Sequence, residues 1–262
     1  MNGAITRRAW LGLAVGGGLL AGSRARADED ALPLLDAVPL TIEGDVALEG
    51  PVHLTLKRDD SAALAAALRA SHGKVDATAD GVRVRLAQYR PVTADRPQGF
   101  TRPSFLLDYD EPAFAPVGTL AKAYLEKNAG EPKAVALTAF VAEFITKKNR
   151  MRGFDVASVV AKRAEGDCTE HAVLLAALLR ANGIAARVIC GLVLLKMAKP
   201  LAFGHAWAEA WVDGGWKPFD AAITAKHRLG LFAITNEGAG FSAALVAKYQ
   251  ALQPTRLVLA AG

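Results

Sequence analysis

The sequence predicts an α+β protein with two parts, a β-rich N-terminal domain and linker over residues 28–112 and a mixed domain over residues 113–262. Three patterns lead to this fold class. Residues 38–57 alternate apolar and polar side chains around a turn-prone segment, which is typical of paired strands. Residues 168–181 carry leucines at helical spacing, and residues 205–212 alternate strictly before an Asp-Gly turn. We therefore expect a helix followed by antiparallel strands in the second domain.

Composition and charge place the chain among globular proteins. It has 262 residues, of which 52% are hydrophobic and 22% charged, and these proportions exclude a disordered or fibrous chain. The formal net charge is +5, but four of the 31 lysines and arginines lie in the first 27 residues, which contain no acidic residue. The remaining 27 basic and 26 acidic residues nearly cancel. We expect no nucleic-acid partner, because no dense basic run remains to follow a phosphate backbone.

The first 27 residues have the three parts of a cleavable export signal. A polar start ends in the pair Arg7-Arg8, an apolar run spans residues 9–22, and small residues flank Arg26. The apolar run is shorter than the ~20 residues needed to cross a bilayer. The arginine pair followed by Trp10 resembles a twin-arginine export signal, which implies a periplasmic mature chain with no stable membrane insertion. An ordinary secretory signal or an uncleaved anchor is the alternative.

The elements of the N-terminal domain are predicted from alternation and helical spacing. Strands are expected over residues 38–46, 52–57 and 82–88, and a helix over residues 61–70. Residues 91–117 contain five prolines and few apolar clusters, so we expect a linker or a wrapping segment there.

The second domain is predicted to begin with helices. Apolar residues recur at helical spacing over residues 120–127 and 134–147. The helix over residues 168–181 is expected to end at Asn182-Gly183, where the glycine suits a left-handed C-cap. Residues 186–195 form an apolar, β-branched run that predicts a strand, and a loop is expected over residues 196–204.

Cys168 stands at the predicted N-terminus of a helix. The helix dipole and the free N–H groups there favour negative charge, which predicts a lowered thiol pKa and a site for a developing oxyanion. A buried and inert cysteine is the alternative. Polar neighbours argue against that alternative, namely Glu165, Asp167, Thr169 and Glu170.

The hairpin after His205 places a carboxylate within reach of the imidazole. If Asp213-Gly214 are the two loop residues, Val212 pairs with Gly215, and Asp220 lies opposite Trp207. Asp220 is then a diagonal neighbour of His205 on the same face of the sheet, at a distance that a hydrogen bond can close. A slip of one residue would move Asp220 to the other face.

These separated motifs together resemble the transglutaminase-like superfamily. The resemblance covers residues 117–222 and rests on the following segments: Gly166-Asp167-Cys168, the leucine-rich helix through Gly183-Ile184, Ala186-Arg187-Val188, His205-Ala206-Trp207, Trp216 and Asp220. It implies a papain-like core in which a helix bearing cysteine packs on an antiparallel sheet bearing histidine and aspartate. Ala185 stands where the family often has proline, and no side-chain donor for an oxyanion hole is evident before Cys168.

The resemblance also implies the catalytic roles. Cys168 would be the nucleophile, His205 the general base and later acid, and Asp220 the group that orients the imidazole. We expect a periplasmic, thiol-dependent acyl-transfer enzyme that hydrolyses peptide or amide bonds in a peptide or protein substrate, without a cofactor. The alternatives are a protein-glutamine transglutaminase with an amine acceptor and an inactive peptide- or protein-binding module. The sequence does not indicate the oligomeric state.

The same residues permit two other interpretations. A metal site would combine Cys168 and His171 with His205 and Asp220, but a single C-x-x-H spacing is a weak zinc signal, and no acidic loop has calcium-ligand spacing. We expect no metal and interpret His171 as a helix-face histidine beside the site or exposed. A Cys168–Cys190 disulfide is compatible with an oxidising compartment, although Cys190 lies in an apolar strand typical of a buried thiol.

Overall fold

The computed structural model describes residues 37–43, 52–58, 61–72, 75–86, 97–148, 154–195, 201–223, 228–236, 252 and 254–261. All of them belong to one unit that spans Pro33–Gly262. The predicted signal segment, residues 1–27, lies outside the described residues, as do residues 196–200 of the predicted loop. No helix in the described part of the chain combines the length and apolarity that a membrane crossing requires.

The described part of the chain contains five α-helices and nine β-strands. The helices are α1 (Ser61–His72), α2 (Ala115–Lys127), α3 (Lys133–Phe144), α4 (Ala157–Arg163) and α5 (Cys168–Ala181). The strands are β1 (Ala37–Glu43), β2 (Val52–Lys57), β3 (Val75–Thr78), β4 (Gly81–Leu86), β5 (Ala186–Leu195), β6 (Leu201–Val212), β7 (Gly215–Phe219), β8 (Arg228–Asn236) and β9 (Arg256–Ala261). Short 3-10 helices lie at Pro97–Phe100 and Pro112–Phe114.

Several predicted bounds need correction. The predicted loop over residues 196–204 is too long, because β6 begins at Leu201 and its first residues pair with β1. The proline-rich segment 91–117 contains two 3-10 helices and the start of α2, since Pro116 lies in the first turn, where a missing N–H costs nothing. Helix α4, which was not predicted, is only seven residues long. Short elements of this kind leave little periodicity in the sequence.

The strands form one sheet in the order β3-β4-β2-β9-β1-β6-β5-β8, and β7 pairs with β6 beside this path. Strand β9 comes from the C-terminal end of the chain, runs parallel to β1 and antiparallel to β2, and so lies between two N-terminal strands. Strands from both sides of the predicted boundary at residue 112 therefore share the sheet. The division into two domains stays a prediction.

Helix α5 packs on the face of β6 that carries small side chains. Ala206, Ala208 and Ala210 of β6 lie in the same buried cluster as the leucines of α5. Because side chains alternate along a strand, His205, Trp207 and Glu209 point to the opposite face of the sheet. Four leucines of α5 have no exposed surface, and burial of each contributes about 1.5–3 kcal/mol. They are Leu174, Leu175, Leu178 and Leu179.

A buried ion pair joins β5 and β6 on the His205 face. Arg187 and Glu209 are paired residues of the two strands, and Arg187 Nε donates to Glu209 Oε2 at 2.7 Å. Both side chains are fully buried, and the Arg187 guanidinium lies 4.2 Å from the ring centroid of Trp216 and 5.4 Å from that of Phe100. The ion pair therefore connects strands β5 and β6 to each other and, through Trp216, to the β6–β7 hairpin.

We expect Glu209→Ala to lower the free energy of unfolding by about 3–5 kcal/mol, because the buried Arg187 guanidinium loses its carboxylate. Urea denaturation followed by circular dichroism measures this loss. The double variant Arg187→Met, Glu209→Leu is the matched control and should lose less than the single variant, since it leaves no buried charge. A single variant as stable as the double variant would contradict this account.

Candidate active site

The first turn of α5 is fixed by reciprocal hydrogen bonds around Cys168. Asp167 is the N-cap residue, and its Oδ1 accepts the backbone N–H of Thr169 at 3.0 Å. The Glu170 side chain returns to the cap, where Oε2 accepts the backbone N–H of Asp167 at 3.0 Å. This capping box satisfies two of the N–H groups that a helix N-terminus leaves unpaired. As the first helical residue, Cys168 keeps an N–H group with no acceptor inside the helix.

Gly166 lets the chain pass closely over the Glu170 side chain. Its backbone N–H donates to the carbonyl of Lys147 at 2.9 Å, and its φ is 156°. A Cβ at this position would lie 2.3 Å from Glu170 Cβ, closer than two carbon atoms can approach. Position 166 therefore requires glycine.

The sulfur of Cys168 lies against the edge of β6, between the described pairings of that edge with β1 and with β7. On this edge β6 pairs with β1 up to Phe203 and with β7 from Ala208 onward, so residues 204–207 have no strand beside them within the described part of the chain. The backbone N–H of Ala206 donates to the Cys168 sulfur there. Cys168 is thus held next to the residue that follows His205.

His205 and Asp220 are in direct contact. His205 Nε2 and Asp220 Oδ2 are 2.9 Å apart, and both side chains are almost completely buried. Asp220 Oδ1 accepts the backbone N–H groups of Ala222 at 3.0 Å and Ile223 at 3.1 Å. Since a carboxylate only accepts hydrogen bonds, Nε2 carries the proton and Nδ1 is free to accept one.

The predicted hairpin register is confirmed. Val212 pairs with Gly215 and Ala208 pairs with Phe219. The next residue, Asp220, therefore lies opposite Trp207 when this register is continued. The loop residues Asp213 and Gly214 have φ values of 51° and 77°, as a tight turn between twisted strands requires. The turn type therefore determines that Asp220 reaches His205.

The predicted lowering of the Cys168 pKa is wrong. Burial raises the pKa of this thiol well above its ordinary value, and the negative charge of Asp167 raises it further. The N–H of Ala206 acts in the opposite direction, while nearby Cys190 and Glu170 add to the increase. The prediction considered the helix dipole and the free N–H groups and not the burial of the sulfur. Cys168 is therefore a protonated thiol at rest.

The structure does not join all three predicted catalytic residues by hydrogen bonds. It brings His205 and Asp220 together and places Cys168 beside them along β6. No hydrogen bond connects Cys168 with His205 among the residues that the structure describes.

His171 is buried rather than exposed, one helical turn after Cys168. Lys148 Nζ donates to its Nε2 at 3.4 Å, so its Nδ1–H donates to the carbonyl of Asp167 at 2.5 Å. Burial lowers the pKa of His171 to about 4, and the Lys148 charge adds to this effect, so the imidazole is neutral at neutral pH. Both ring nitrogens are engaged within the protein.

The competing uses of these residues find no support in the geometry. Groups of three or more metal-ligating side chains that could hold an ion are absent from the described residues. Cys168 and Cys190 are both free thiols, and Cys190 is buried. Burial raises the pKa of Cys190 strongly, which makes it a poor nucleophile.

Sequence reasoning missed two residues of this region, Glu170 and Lys148. The spacing Asp167-x-x-Glu170 is a capping-box signature and could have identified Glu170. No local pattern identifies Lys148, because it reaches His171 from a separate segment.

Comparison with known proteins supports the fold. A family model described as Transglutaminase-like superfamily, with the core domain name Transglut_core, matches residues 119–221, a range that contains Cys168, His205 and Asp220. The chain thus contains a transglutaminase-like domain, and the predicted α+β fold with this core and an N-terminal sheet is confirmed. No curated protein matches the sequence.

Two solved structures are among those similar to this chain. One is a proposed cysteine protease from Cytophaga hutchinsonii, 18% identical, with 81% of each chain covered and a TM-score of 0.44. The other is the periplasmic domain of TgpA from Pseudomonas aeruginosa, 16% identical, with 71% of this chain and 75% of that chain covered and a TM-score of 0.40. At this level of similarity neither structure bears on what the present chain binds or cleaves.

We expect Gly166→Ala to lower the free energy of unfolding by about 3 kcal/mol, because the new Cβ collides with Glu170. Gly183→Ala is the matched control. Gly183 also has a positive φ, 78°, but a Cβ there would meet nothing within 4 Å, so its cost should be about 1 kcal/mol. Chemical denaturation measures both. Equal losses in the two variants would show that the close approach at Gly166 does not matter.

We expect iodoacetamide to alkylate Cys168 slowly at pH 7 and faster as the pH rises past ~8.5, the pKa of a free thiol. The reason is the raised thiol pKa, which keeps the thiolate fraction small at neutral pH. Peptide mass spectrometry of the folded protein gives the rate at each pH and separates Cys168 from Cys190. A rate that is already maximal at pH 7 would contradict this assignment.

Proposed function

We propose that this protein is a periplasmic acyl-transfer enzyme that hydrolyses peptide or amide bonds through Cys168, His205 and Asp220. The observation that carries the proposal is the buried His205–Asp220 pair, with Asp220 held by two backbone N–H groups beside the strand segment that contacts Cys168. A thiol nucleophile needs a base, and the base needs a group that fixes its tautomer. The three residues supply these roles.

The resting proton positions determine the first step. Asp220 keeps the proton of His205 on Nε2, so Nδ1 is the basic nitrogen. As the Cys168 sulfur attacks the carbonyl carbon, its proton passes to Nδ1, and the carbonyl π-electrons move to oxygen. The N–H of Cys168, which has no acceptor within the helix, is positioned to donate to this oxyanion. Because the thiol is protonated at rest, the base acts during the attack and not before it.

Acylation and deacylation then use the same imidazole. Collapse of the tetrahedral intermediate breaks the C–N bond, and His205 gives its new proton to the departing amine, which leaves a thioester on Cys168. Water attacks the thioester while His205 accepts a proton from it. The C–S bond then breaks and His205 returns this proton to the sulfur, which releases a carboxylic acid and restores the thiol and the neutral imidazole. Asp220 stabilises the imidazolium in both halves.

The proposed location rests on the sequence of residues 1–27. The Arg7-Arg8 pair, the apolar run and the small residues around Arg26 support export to the periplasm. Substrates would then be peptides or proteins of that compartment.

The proposal is tested with 4-nitrophenyl acetate, a small activated acyl donor, on mature protein lacking residues 1–27. We expect a burst of nitrophenolate and an acetyl group on the Cys168 peptide, followed by slow turnover. Asp220→Asn should slow acetylation on the order of 10²-fold or more, because the imidazole loses its fixed tautomer. Mass spectrometry and stopped-flow absorbance measure both effects.

The controls separate acyl transfer from non-specific labelling. Cys168→Ala should abolish the burst, while Cys190→Ala should keep it, since Cys190 lies outside the proposed machinery. With a primary amine present, an acetylated amine in place of acetate would identify transamidation as the activity. A folded wild-type protein that is never acetylated at Cys168 would refute the proposal and favour a binding module.

A further inference from the structure

The part of the sheet formed by β4, β2, β9 and β1 has one apolar face and one polar face. Leu54 and Leu56 of β2 are fully buried in the same cluster as Leu64 and Leu68 of α1. Because side chains alternate along a strand, Thr55 points to the opposite face. A cavity of about 400 Å³ lies on that face, and Thr55 is one of the residues that line it. Small-molecule sites typically have volumes of about 300–1,000 Å³.

Thr55 carries a buried hydroxyl group at the floor of this cavity. The residue is 7% exposed, and Val258, its neighbour on β9, is 8% exposed. The Thr55 hydroxyl has no hydrogen-bond partner in the described part of the chain. A buried hydroxyl without a partner costs free energy, whereas a valine of the same shape would not carry this cost. A ligand in the cavity would supply the missing partner.

Three basic residues surround Thr55. Arg83 is its direct partner on β4, Lys57 lies two residues further along β2, and Arg256 is the direct partner of Lys57 on β9. All three line the cavity. Arg83 and Arg256 are two strand spacings apart, which is about 10 Å across the sheet. Their long side chains can therefore approach one bound group from two sides.

The charges of these residues are unequally compensated. Lys57 Nζ lies 2.5 Å from Asp80 Oδ2, so the charges of this pair cancel. Arg256 donates to the hydroxyl of Thr41 at 3.3 Å, which is a neutral acceptor. Arg83 has no acceptor among the described residues. Two guanidinium groups thus line the cavity without a carboxylate bonded to them, and such groups favour an anion.

Glu43 limits the kind of anion that fits. It lines the cavity opposite Ala260, which lies four residues after Arg256 on β9, about 13 Å along the strand. A ligand with a second acidic group at that end would be repelled by Glu43. The cavity is larger than one carboxylate or phosphate group, so its charges suit an organic molecule with one anionic end and an uncharged remainder.

We propose that this cavity binds a small organic anion, either a carboxylate or a phosphate monoester, through Arg83, Arg256 and the Thr55 hydroxyl. Guanidinium groups donate pairs of parallel hydrogen bonds to both kinds of anion, and the hydroxyl adds a further donor. Strand β2 lies three strand spacings from β6, about 14 Å, so the site does not include His205. The inference does not depend on the function proposed above.

The experiment is isothermal titration calorimetry on the full-length protein, with two anions and their uncharged counterparts. N-acetylglycylglycine is compared with its C-terminal amide, and glycerol 3-phosphate is compared with glycerol. We expect at least one anion to bind with a dissociation constant below about 1 mM and the uncharged molecules to bind much more weakly. The anion that binds more tightly identifies whether the site prefers a carboxylate or a phosphate. Anions that bind no more tightly than their uncharged counterparts would overturn the proposal.

Substitutions test where the anion binds. Arg83→Gln and Arg256→Gln should each weaken binding on the order of 10-fold or more, and Thr55→Val should weaken it less, because each removes a donor to the anion. Arg85→Gln is the matched control. Arg85 is exposed on the same face of β4, two residues after Arg83, but does not line the cavity. An Arg85→Gln variant that loses as much affinity as Arg83→Gln, or a Thr55→Val variant with the wild-type affinity, would overturn the proposal.

Thermal unfolding separates binding from folding. Without ligand, Thr55→Val should melt at the wild-type temperature or above it, because the substitution removes a buried hydroxyl that has no partner. The anion should raise the melting temperature of the wild type and not that of an Arg83→Gln, Arg256→Gln double variant, since only a protein that binds it is stabilised. A lower melting temperature for Thr55→Val without ligand would show that the hydroxyl is already bonded within the protein, and the proposal would be wrong.

Discussion

The interrupted edge of β6 is the constraint on which the candidate site depends. Strand β5 covers the other edge of β6 without a break from Leu201 to Ala210, so the strand is held in one continuous register. On the interrupted edge, within the described part of the chain, the pairing with β1 ends at Phe203 and the pairing with β7 begins at Ala208. A backbone N–H group in such a gap is costly when it is buried and unpaired. The N–H of Ala206 donates to the Cys168 sulfur, so the start of α5 lies beside this part of the strand.

The same strand explains how the helix and the histidine share one site. Alanines at every second position leave room for α5 on one face of β6, and the side chain of His205 points to the opposite face. Because β7 begins to pair at Ala208, the hairpin ends at Phe219 and the next residue, Asp220, meets His205. Cys168 contacts the strand at its edge, and Asp220 reaches His205 from the end of the hairpin.

Local patterns predicted the elements that depend only on neighbours in sequence. The helix from Cys168 to Ala181, the strand from Ala186 to Leu195 and the hairpin register all follow from periodicity, a C-cap glycine and turn chemistry. The predictions that failed did so for two reasons. The first residues of β6 are strand because β1, which is far away in the chain, pairs with them. The thiol pKa is raised because burial of the sulfur and the charge of Asp167 outweigh the effect of the helix N-terminus.

The N-terminal strands consequently belong to the framework of the site. Strand β1 pairs with β6 from Ala37, opposite Phe203, to Pro39, opposite Leu201, and pairs with β9 from Leu40 onward. Because β1 and β6 are antiparallel, Ala37 is the residue of β1 that lies nearest to His205 along the strand. Strand β9 links β1 to β2 by pairing with both. The three candidate residues lie in the transglutaminase-like domain, but the described strands that flank residues 204–207 of β6 come from both halves of the sequence.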